Sequence, residues 1–471
     1  MMRKQLSITL VALVLLLGCS ARVQAFDTGH HSDLTREVLN EFGFGSTSIK
    51  IAQVENWMVD YYTNAPGTGI KEDLAKLHFD DLENSEYMRH YWGVLASNTR
   101  TAVQKAASEG NAMKVLALIG MSLHAVQDFY SHSNWVEIRG NPKSGYDCTT
   151  YFDAPKAVGL RSGHYPNASP VTDKDHGDYY AGMNHDSYNR PNWDRAYVAA
   201  YAGSAQWVGA IKNWAEKARP GIWDEVQDIR GKEFQAALDS DLKAAYQLSA
   251  WVLTLRDNGH WKGWGSGSGT EFGKAAASYS VAISPLGLHF VVNHWHRELT
   301  VGLGKSLISS PDLPTMPTFP LTRRAVYIRT TLVEELPVDS VSDKLDQLYK
   351  PDFFARIRVD GLTFTEAMRV DTSSFVPHWI TLTFIPNYKE SIPVRYELFD
   401  EDGFSDEVCD INPSADKTRL DFSVNLKTLT LSGDLTGIHR TSDTAASSEG
   451  AKPQKGRARI KLLVTTVPLT R

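Results

Sequence analysis

Residues 112–135 read AMKVLALIGMSLHAVQDFYSHSNW, and the reading of this stretch decides the fold of the first half of the chain. Apart from Lys114, its opening residues are small or apolar, as a helix buried on all sides requires. His124, Asp128 and His132 then follow at i, i+4 and i+8. At ~100° per residue these three fall within an arc of ~80° and point the same way. Polar groups on a face turned into a core need partners. Either neighbouring residues satisfy them as a buried polar cluster, or the three converge on a metal.

The whole chain narrows the choice. With 471 residues, 42% hydrophobic and 22% charged, it exceeds what one domain usually holds, and two are predicted. A net charge of −6 and the lack of a long basic run argue against a nucleic-acid partner. MMRKQ followed by LSITLVALVLLLG and SARVQA reads as a signal peptide over 1–25, cleaved before Phe26, so a secreted or extracytoplasmic protein is expected. A second reading takes LLLGC as a lipobox, with Cys19 lipid-anchored. No later run reaches the ~18 apolar residues of a membrane span. The two remaining cysteines, Cys148 and Cys409, are too far apart to suggest a disulfide-stapled scaffold or a paired-cysteine zinc site. A metal here must be held by histidines and carboxylates.

From Asp33 to about Thr300 apolar residues recur at three- and four-residue spacing, as in DLTREVLNEFG, IAQVENWMVDYY and WDRAYVAAYAGSAQWVGAIKNWAEKA. A helical domain over 26–308 is predicted, interrupted by a long loop at 138–190 and by NGHWKGWGSGSG at 258–269. Pro311, Pro314, Pro317 and Pro320 mark 309–323 as an extended linker. After it the period changes to two in AVYIRTTLVEEL, FFARIRV, HWITLTF, IPVRYELF, DFSVNLKTLTL and RARIKLLVTTV, which predicts an all-β sandwich over 324–471. TSDTAASSEGAKPQKG (441–456) reads as an apolar-poor insertion.

Zinc catalysis with nitrogen and oxygen ligands needs neutral imidazoles and ionised carboxylates brought together. Beyond the central helix, the candidates are His31 in HSDLT, Asp60 in NWMVDYY, His78 in LHFDD, and His176, His185 and Asp186 in DHGDYYAGMNHDS. Each alone is more often a cap or a surface residue; their combination favours a polynuclear site. The aromatic residues around them are read mainly as core, although aromatic faces also suit a choline headgroup.

SLHAVQDFYSHSNWVEI resembles the hallmark of the Het-C (heterokaryon incompatibility) family, related in fold to zinc-dependent phospholipase C and, more distantly, to single-strand-specific zinc nucleases. HSDLT, NWMVDYY and MNHDS match further family elements in order. The resemblance implies a helical domain of the phospholipase C kind holding two or three Zn²⁺. It implies His124 and Asp128 as ligands, Asp128 as the bridging carboxylate, and His132 and His78 as further ligands. Asp60 would be a ligand and the general base, and His31 would share a third zinc with Asp128. The phospholipase's final His-x-x-x-Glu pair has its spacing here only at His294 and Glu298, so His176, His185 and Asp186, nearer the expected place, are taken instead.

The second domain resembles a C2 domain. LDQLYKPDFFARIRV carries Asp346 and Asp352 before a strand, FVPHWITLTF matches a family strand, and VRYELFDEDGFSDE supplies Asp400, Asp402 and Asp406, with Asp410 as an alternative. Ca²⁺ takes six to eight oxygens, largely carboxylate, on loops of this kind. Acidic loop residues are otherwise simply solvated. Bound Ca²⁺ would allow docking on a phospholipid membrane, with Trp261 and Trp264 at headgroup depth. The expected protein is a secreted zinc phosphodiesterase, a phospholipase C targeted by a calcium-binding C2-like module. A membrane-damaging cell-death effector without turnover and a zinc nuclease are the alternatives. A regulatory or inhibitory protein partner is left open.

Overall fold

The computed structural model describes residues 28–64, 76–139, 146–147, 159–164, 168–177, 182–186 and 190–230, and further on 322–337, 350–366, 369, 371–377, 379–401, 406–435, 437–438, 445–451 and 456–470. They fall in two compact units, the first helical and the second β. The expected signal peptide, the loop with Trp261 and Trp264, His294, Glu298 and nearly all of the Pro-rich linker lie outside the described residues. Among those described, no helix is long and apolar enough to cross a membrane.

The helical unit contains α1 (Thr28–Glu41), α2 (Ser46–Asn64), a 3₁₀ turn (Lys76–His78), α3 (Ser85–Ser108), α4 (Ala112–His132), α5 (Trp135–Arg139), α6 (Trp193–Ala218) and α7 (Ile222–Gln227). Helix α4 is its axis: every residue except Lys114 is buried, and α2, α3 and α6 pack round it. Its start is fixed locally, since the Asn111 side chain accepts from the Lys114 amide at 2.9 Å. Asn84 does the same for α3, accepting from the amides of Glu86 and Tyr87 at 3.0 Å each. At Gly120 a Cβ would sit 2.4 Å from the Ala52 carbonyl oxygen, so α2 and α4 meet at a distance that only glycine allows. On the opposite side the Trp207 indole of α6 donates to Ser122 Oγ at 2.8 Å. Phe79, Trp92 and Phe129 form an aromatic group against α4, and all three are fully buried. These aromatics are core, which is the reading the sequence favoured.

The end of α4 carries the long loop. Helix C-termini leave carbonyls without intrahelical partners. Here the Ser131 carbonyl accepts from the His185 amide at 2.7 Å and the His132 carbonyl from the Gly163 amide at 3.1 Å. The 159–186 loop is thereby docked onto the polar end of the buried helix.

The second unit is an antiparallel β-sandwich. Its strands are β1 (Arg323–Glu335), β2 (Phe353–Val359), β3 (Leu362–Thr365), β4 (Ser374–Phe375), β5 (Ile380–Pro386), β6 (Ser391–Asp400), β7 (Glu407–Val408), β8 (Leu420–Asn425), β9 (Thr430–Gly433), β10 (Gly437–Ile438), β11 (Ala446–Glu449) and β12 (Ala458–Thr470). In one sheet β1 pairs with β12, β5 and β4, and β11 pairs with β12. The other runs β10-β9-β8-β6-β2-β3, with β7 on β6. Tyr396 of β6 and Thr330 of β1 share a buried hydrogen bond of 2.9 Å between the sheets. Two sequence expectations are corrected. DFSVNLKTLTL, read as one run, is a hairpin. Asn425 Oδ1 accepts from the amides of Lys427 and Thr428 at 2.9 and 3.0 Å, and Leu429 turns at φ +55°. The expected insertion at 441–456 contains β11, whose alternate residues Ala446 and Ser448 are buried small side chains that hydropathy does not reveal.

Candidate metal centre

Three elements meet at the polar face of α4. Helix α1 brings His31, α4 brings His124 and Asp128, and the 3₁₀ turn brings His78. Asp128 Oδ1 lies 3.0 Å from His31 Nε2, while its Oδ2 lies 2.8 Å from His78 Nδ1 and 3.0 Å from His124 Nε2. His78 Nδ1 and His124 Nε2 are 3.1 Å apart. All four side chains are fully buried or nearly so. A tetrahedral zinc with bonds of about 2.0–2.1 Å has ligand-to-ligand edges of about 3.3 Å, close to these separations. Asp128 Oδ1 is buried without hydrogen-bond geometry to any neighbour, although an imidazole nitrogen faces it. An oxygen lone pair and imidazole nitrogens aimed at one small volume fit a divalent cation.

A second cluster adjoins the first. His132, two turns beyond His124, donates from Nδ1 to the His78 carbonyl at 2.6 Å. Its Nδ1 is also 3.3 Å from Asp80 Oδ1, and its Nε2 is 3.3 Å from Asp186 Oδ1. His176 Nε2 stands 4.0 Å from Asp80 Oδ1 and 3.9 Å from Asp186 Oδ2. The loop is pinned for this purpose. Arg190 is buried and donates to the carbonyls of Asn184 and Gly182 at 2.7 and 2.9 Å. Gly163 lies so close to His176 that a Cβ would meet its Cα at 2.5 Å.

Charge separates the clusters. Burial works against a charged Asp128, yet the imidazoles of His124, His132 and His31 hold it well below the usual carboxylate range. Burial, with His31 and His78 adding to it, pulls His124 down to about 3 despite Asp128, so this imidazole is neutral as a metal ligand must be. Burial would also pull His132 down, but Asp80, Asp128 and Asp186 outweigh it and hold it well above its ordinary value. Asp80 in turn stays below the carboxylate range against its burial, through His132 and His176. The first cluster thus offers one carboxylate to three imidazoles, and the second two carboxylates to two imidazoles.

Of the residues named from sequence, the structure brings together His31, His78, His124 and Asp128 in one cluster and His132, His176 and Asp186 in the other. His185 it sets elsewhere: Nδ1 donates to the Pro191 carbonyl at 2.7 Å and Nε2 faces Glu137 Oε1 at 3.3 Å. The His185 amide is the group docked on Ser131, and its buried ring pairs with Glu137 of α5 instead of joining either cluster. Asp60 belongs to α2, one turn after Asn56, and its side chain lies outside the described residues. Asp80 was missed. Its signal was adjacency, since a carboxylate two residues after a proposed histidine ligand can serve a neighbouring ion.

In the β unit Asp400 is buried and its Oδ1 accepts from the Asp352 amide at 2.7 Å, which joins these two expected calcium ligands. Asp352 Oδ1 accepts from the Asp371 amide at 2.6 Å. Glu407 pairs with Asp400 across β6 and β7, so Asp406 lies at the same end of the sheet. Asp410 is held apart by its own contacts, with Oδ1 accepting from the Asn412 amide at 3.1 Å. Asp346 and Asp402 lie outside the described residues. Among the described residues, groups of three possible ligands converge only in the two helical clusters.

The family model of the VWA7 N-terminal domain matches the chain over residues 45–147. This span includes His78, Asp80, His124, Asp128 and His132, and covers under a quarter of the 471 residues. No curated protein matches. Among solved structures, a C2 domain is 11% identical over 31% of this chain and 99% of its own, with a TM-score of 0.20. Human GIVD cytosolic phospholipase A2 is 14% identical over 31% of this chain and 17% of its own, also with a TM-score of 0.20. The alpha toxin from Clostridium absonum is 12% identical over 86% of this chain and 100% of its own, with a TM-score of 0.14.

Proposed function

We propose that this chain is a secreted, zinc-dependent phosphodiesterase acting on membrane phospholipid in the manner of a phospholipase C. The observation that carries the reading is the pair of adjoining His/Asp clusters, joined by the three residues from His78 to Asp80. Two divalent ions held there would stabilise charge on a phosphodiester and make water acidic enough to attack near neutral pH. The chain's own residues divide the work. In the first cluster Asp128 lies 2.8–3.0 Å from an imidazole nitrogen of each of His31, His78 and His124, within one tetrahedral edge. In the second the separations to His176 are 3.9 and 4.0 Å, looser than those edges, and substrate and water are proposed to bind there. Asp80 and Asp186 supply its negative charge; Asp128, held ionised, neutralises the first cluster. Asp60, one turn from Asn56, is proposed as the group that orients or deprotonates the attacking water. The net charge of −6 favours a zwitterionic lipid over a polynucleotide.

The β unit is proposed as a C2-like module in which Asp352, Asp400 and Asp406, with Asp346 and Asp402, hold Ca²⁺ against a phospholipid surface. One experiment tests both halves. The purified chain is given phosphatidylcholine vesicles, sphingomyelin vesicles and single-stranded DNA, with and without calcium, beside Asp128→Ala and Asp400→Asn. Headgroup phosphate ester released by the native chain and lost in Asp128→Ala supports the reading. Cleavage of DNA alone contradicts it, and vesicle lysis that persists in Asp128→Ala favours a non-catalytic effector. Vesicle binding that requires calcium and weakens in Asp400→Asn supports the module; calcium-independent binding contradicts it.

A further inference from the structure

The first cluster has an outer layer of uncharged side chains that connects two of its histidines, His31 and His124. His31 Nδ1 faces Gln127 Oε1 at 2.6 Å. His124 Nδ1 faces Asn56 Oδ1 at 3.3 Å. The amides are joined, with Asn56 Nδ2 donating to Gln127 Oε1 at 3.1 Å. Both also donate to one hydroxyl: Asn56 Nδ2 lies 3.2 Å and Gln127 Nε2 3.3 Å from Thr35 Oγ1. Gln127 and Asn56 are fully buried, as is Thr35. Helices α1, α2 and α4 each contribute one residue.

The donor count fixes the direction of every bond. Asn56 Nδ2 faces Gln127 Oε1, so turning one amide alone sets like atoms against each other, and turning both sets two amide oxygens against the Thr35 hydroxyl, which has a single proton to give. Their oxygens are therefore left facing the imidazoles, and an amide oxygen only accepts. His31 and His124 must then carry a proton on Nδ1, and in the neutral ring this leaves the Nε2 lone pair of each directed at Asp128. With either amide reversed, an NH₂ group would face Nδ1, and the imidazole proton would move to Nε2 and block the ligand position.

We infer that Thr35, Asn56 and Gln127 are positioning residues that set the tautomer of His31 and His124 and so make the first cluster competent for metal. The inference rests on the metal-dependent reading proposed above. It also gives a role to three motif residues, the Thr of HSDLT, the Asn of NWMVDYY and the Gln of HAVQD. Partners of this kind orient metal-bound histidines and raise their basicity, and losing one typically costs ~10–100-fold in metal affinity.

Long-range ¹H–¹⁵N spectra of the histidine rings, in the native chain with and without Zn²⁺, read the protonated nitrogen directly. The expected result is a proton on Nδ1 of both His31 and His124 in both forms. A bare Nδ1 on either residue overturns the inference, whatever any variant does. Gln127→Met removes the acceptor and is expected to release the His31 proton from Nδ1 and weaken zinc ~10–100-fold in a competition titration. Gln127→Glu keeps an acceptor and is expected to retain the Nδ1 proton. Unchanged ring spectra and affinity in Gln127→Met contradict the inference. A native chain that takes up no zinc but shows both Nδ1 protons contradicts the metal reading and leaves the tautomer assignment standing.

Discussion

His78 and Asp80 are separated by one residue, yet their side chains enter different clusters. The backbone between and after them makes this possible: Phe79 has φ +53° and Asp81 φ +61°. Left-handed conformations at non-glycine residues cost on the order of 1–3 kcal/mol each and persist only where packing enforces them. Phe79 is enforced by Tyr91, Trp92 and Phe129. Sequence periodicity contains no record of such a turn, which is why His78 was legible and Asp80 was not. His124 and Asp128 were legible because a polar pair on the buried face of an apolar helix must meet a partner there. His124 also gives a pH prediction for the metal-free chain. Burial, reinforced by His31 and His78, holds it at about 3 against an ordinary 6.5. Between those values the unfolded chain binds a proton that the folded chain refuses, so stability present above pH 6.5 is lost as pH falls. His132, raised well above its ordinary value, acts in the opposite sense, its stabilisation being full at acid pH and lost as pH rises through the folded value. Comparison with His124→Asn separates the two. The urea midpoint of the native metal-free chain is expected to drop more between pH 7 and pH 5 than that of His124→Asn. An equal drop in both counts against a neutral, buried His124.

Helix α4 is the element on which the site depends, because two turns of it supply His124, Asp128 and His132 while its flanks hold α2 and α6. Its apolar run is visible in sequence. The close approach of α2 is not, since a glycine in a helix interior is otherwise only a weak destabiliser. Gly120→Ala is expected to cost roughly 1–3 kcal/mol, because the new methyl meets the backbone at Ala52 and Asn56 with no side chain able to yield. For a unit of this size that is a fall in Tm of roughly 3–10 °C, measurable by calorimetry. Zinc affinity should fall with it, since Asn56 is displaced from His124. A variant with native Tm and native affinity would mean that the helices are not in backbone contact. In the β unit the alternating runs marked the long strands, whereas β11 and the β8–β9 turn escaped. Ala-Ser-Ser-Glu has no hydropathic alternation, and Asn425 sits inside an unbroken alternating pattern.

Over the whole molecule, the change of period after the Pro-rich stretch separated a helical from a β unit, and this division is present in the structure. The distribution of the candidate ligands was less legible, because His176 and Asp186 of the loop are placed by backbone docking at Ser131 and His132 that no local pattern encodes. His185, docked there by its amide, pairs with Glu137 instead. The proposed function requires two neighbouring cation sites of unequal tightness along α4, the first centred on Asp128 and the second on Asp80 and His132. Native mass spectrometry with elemental analysis, on the full chain equilibrated with Zn²⁺ and on Asp128→Ala and Asp80→Ala, tests this most directly. Two tightly held ions per native chain, falling to one in each variant, is the predicted result. A native chain with no tightly held ion, or a count unaltered by both substitutions, would contradict the two-site centre.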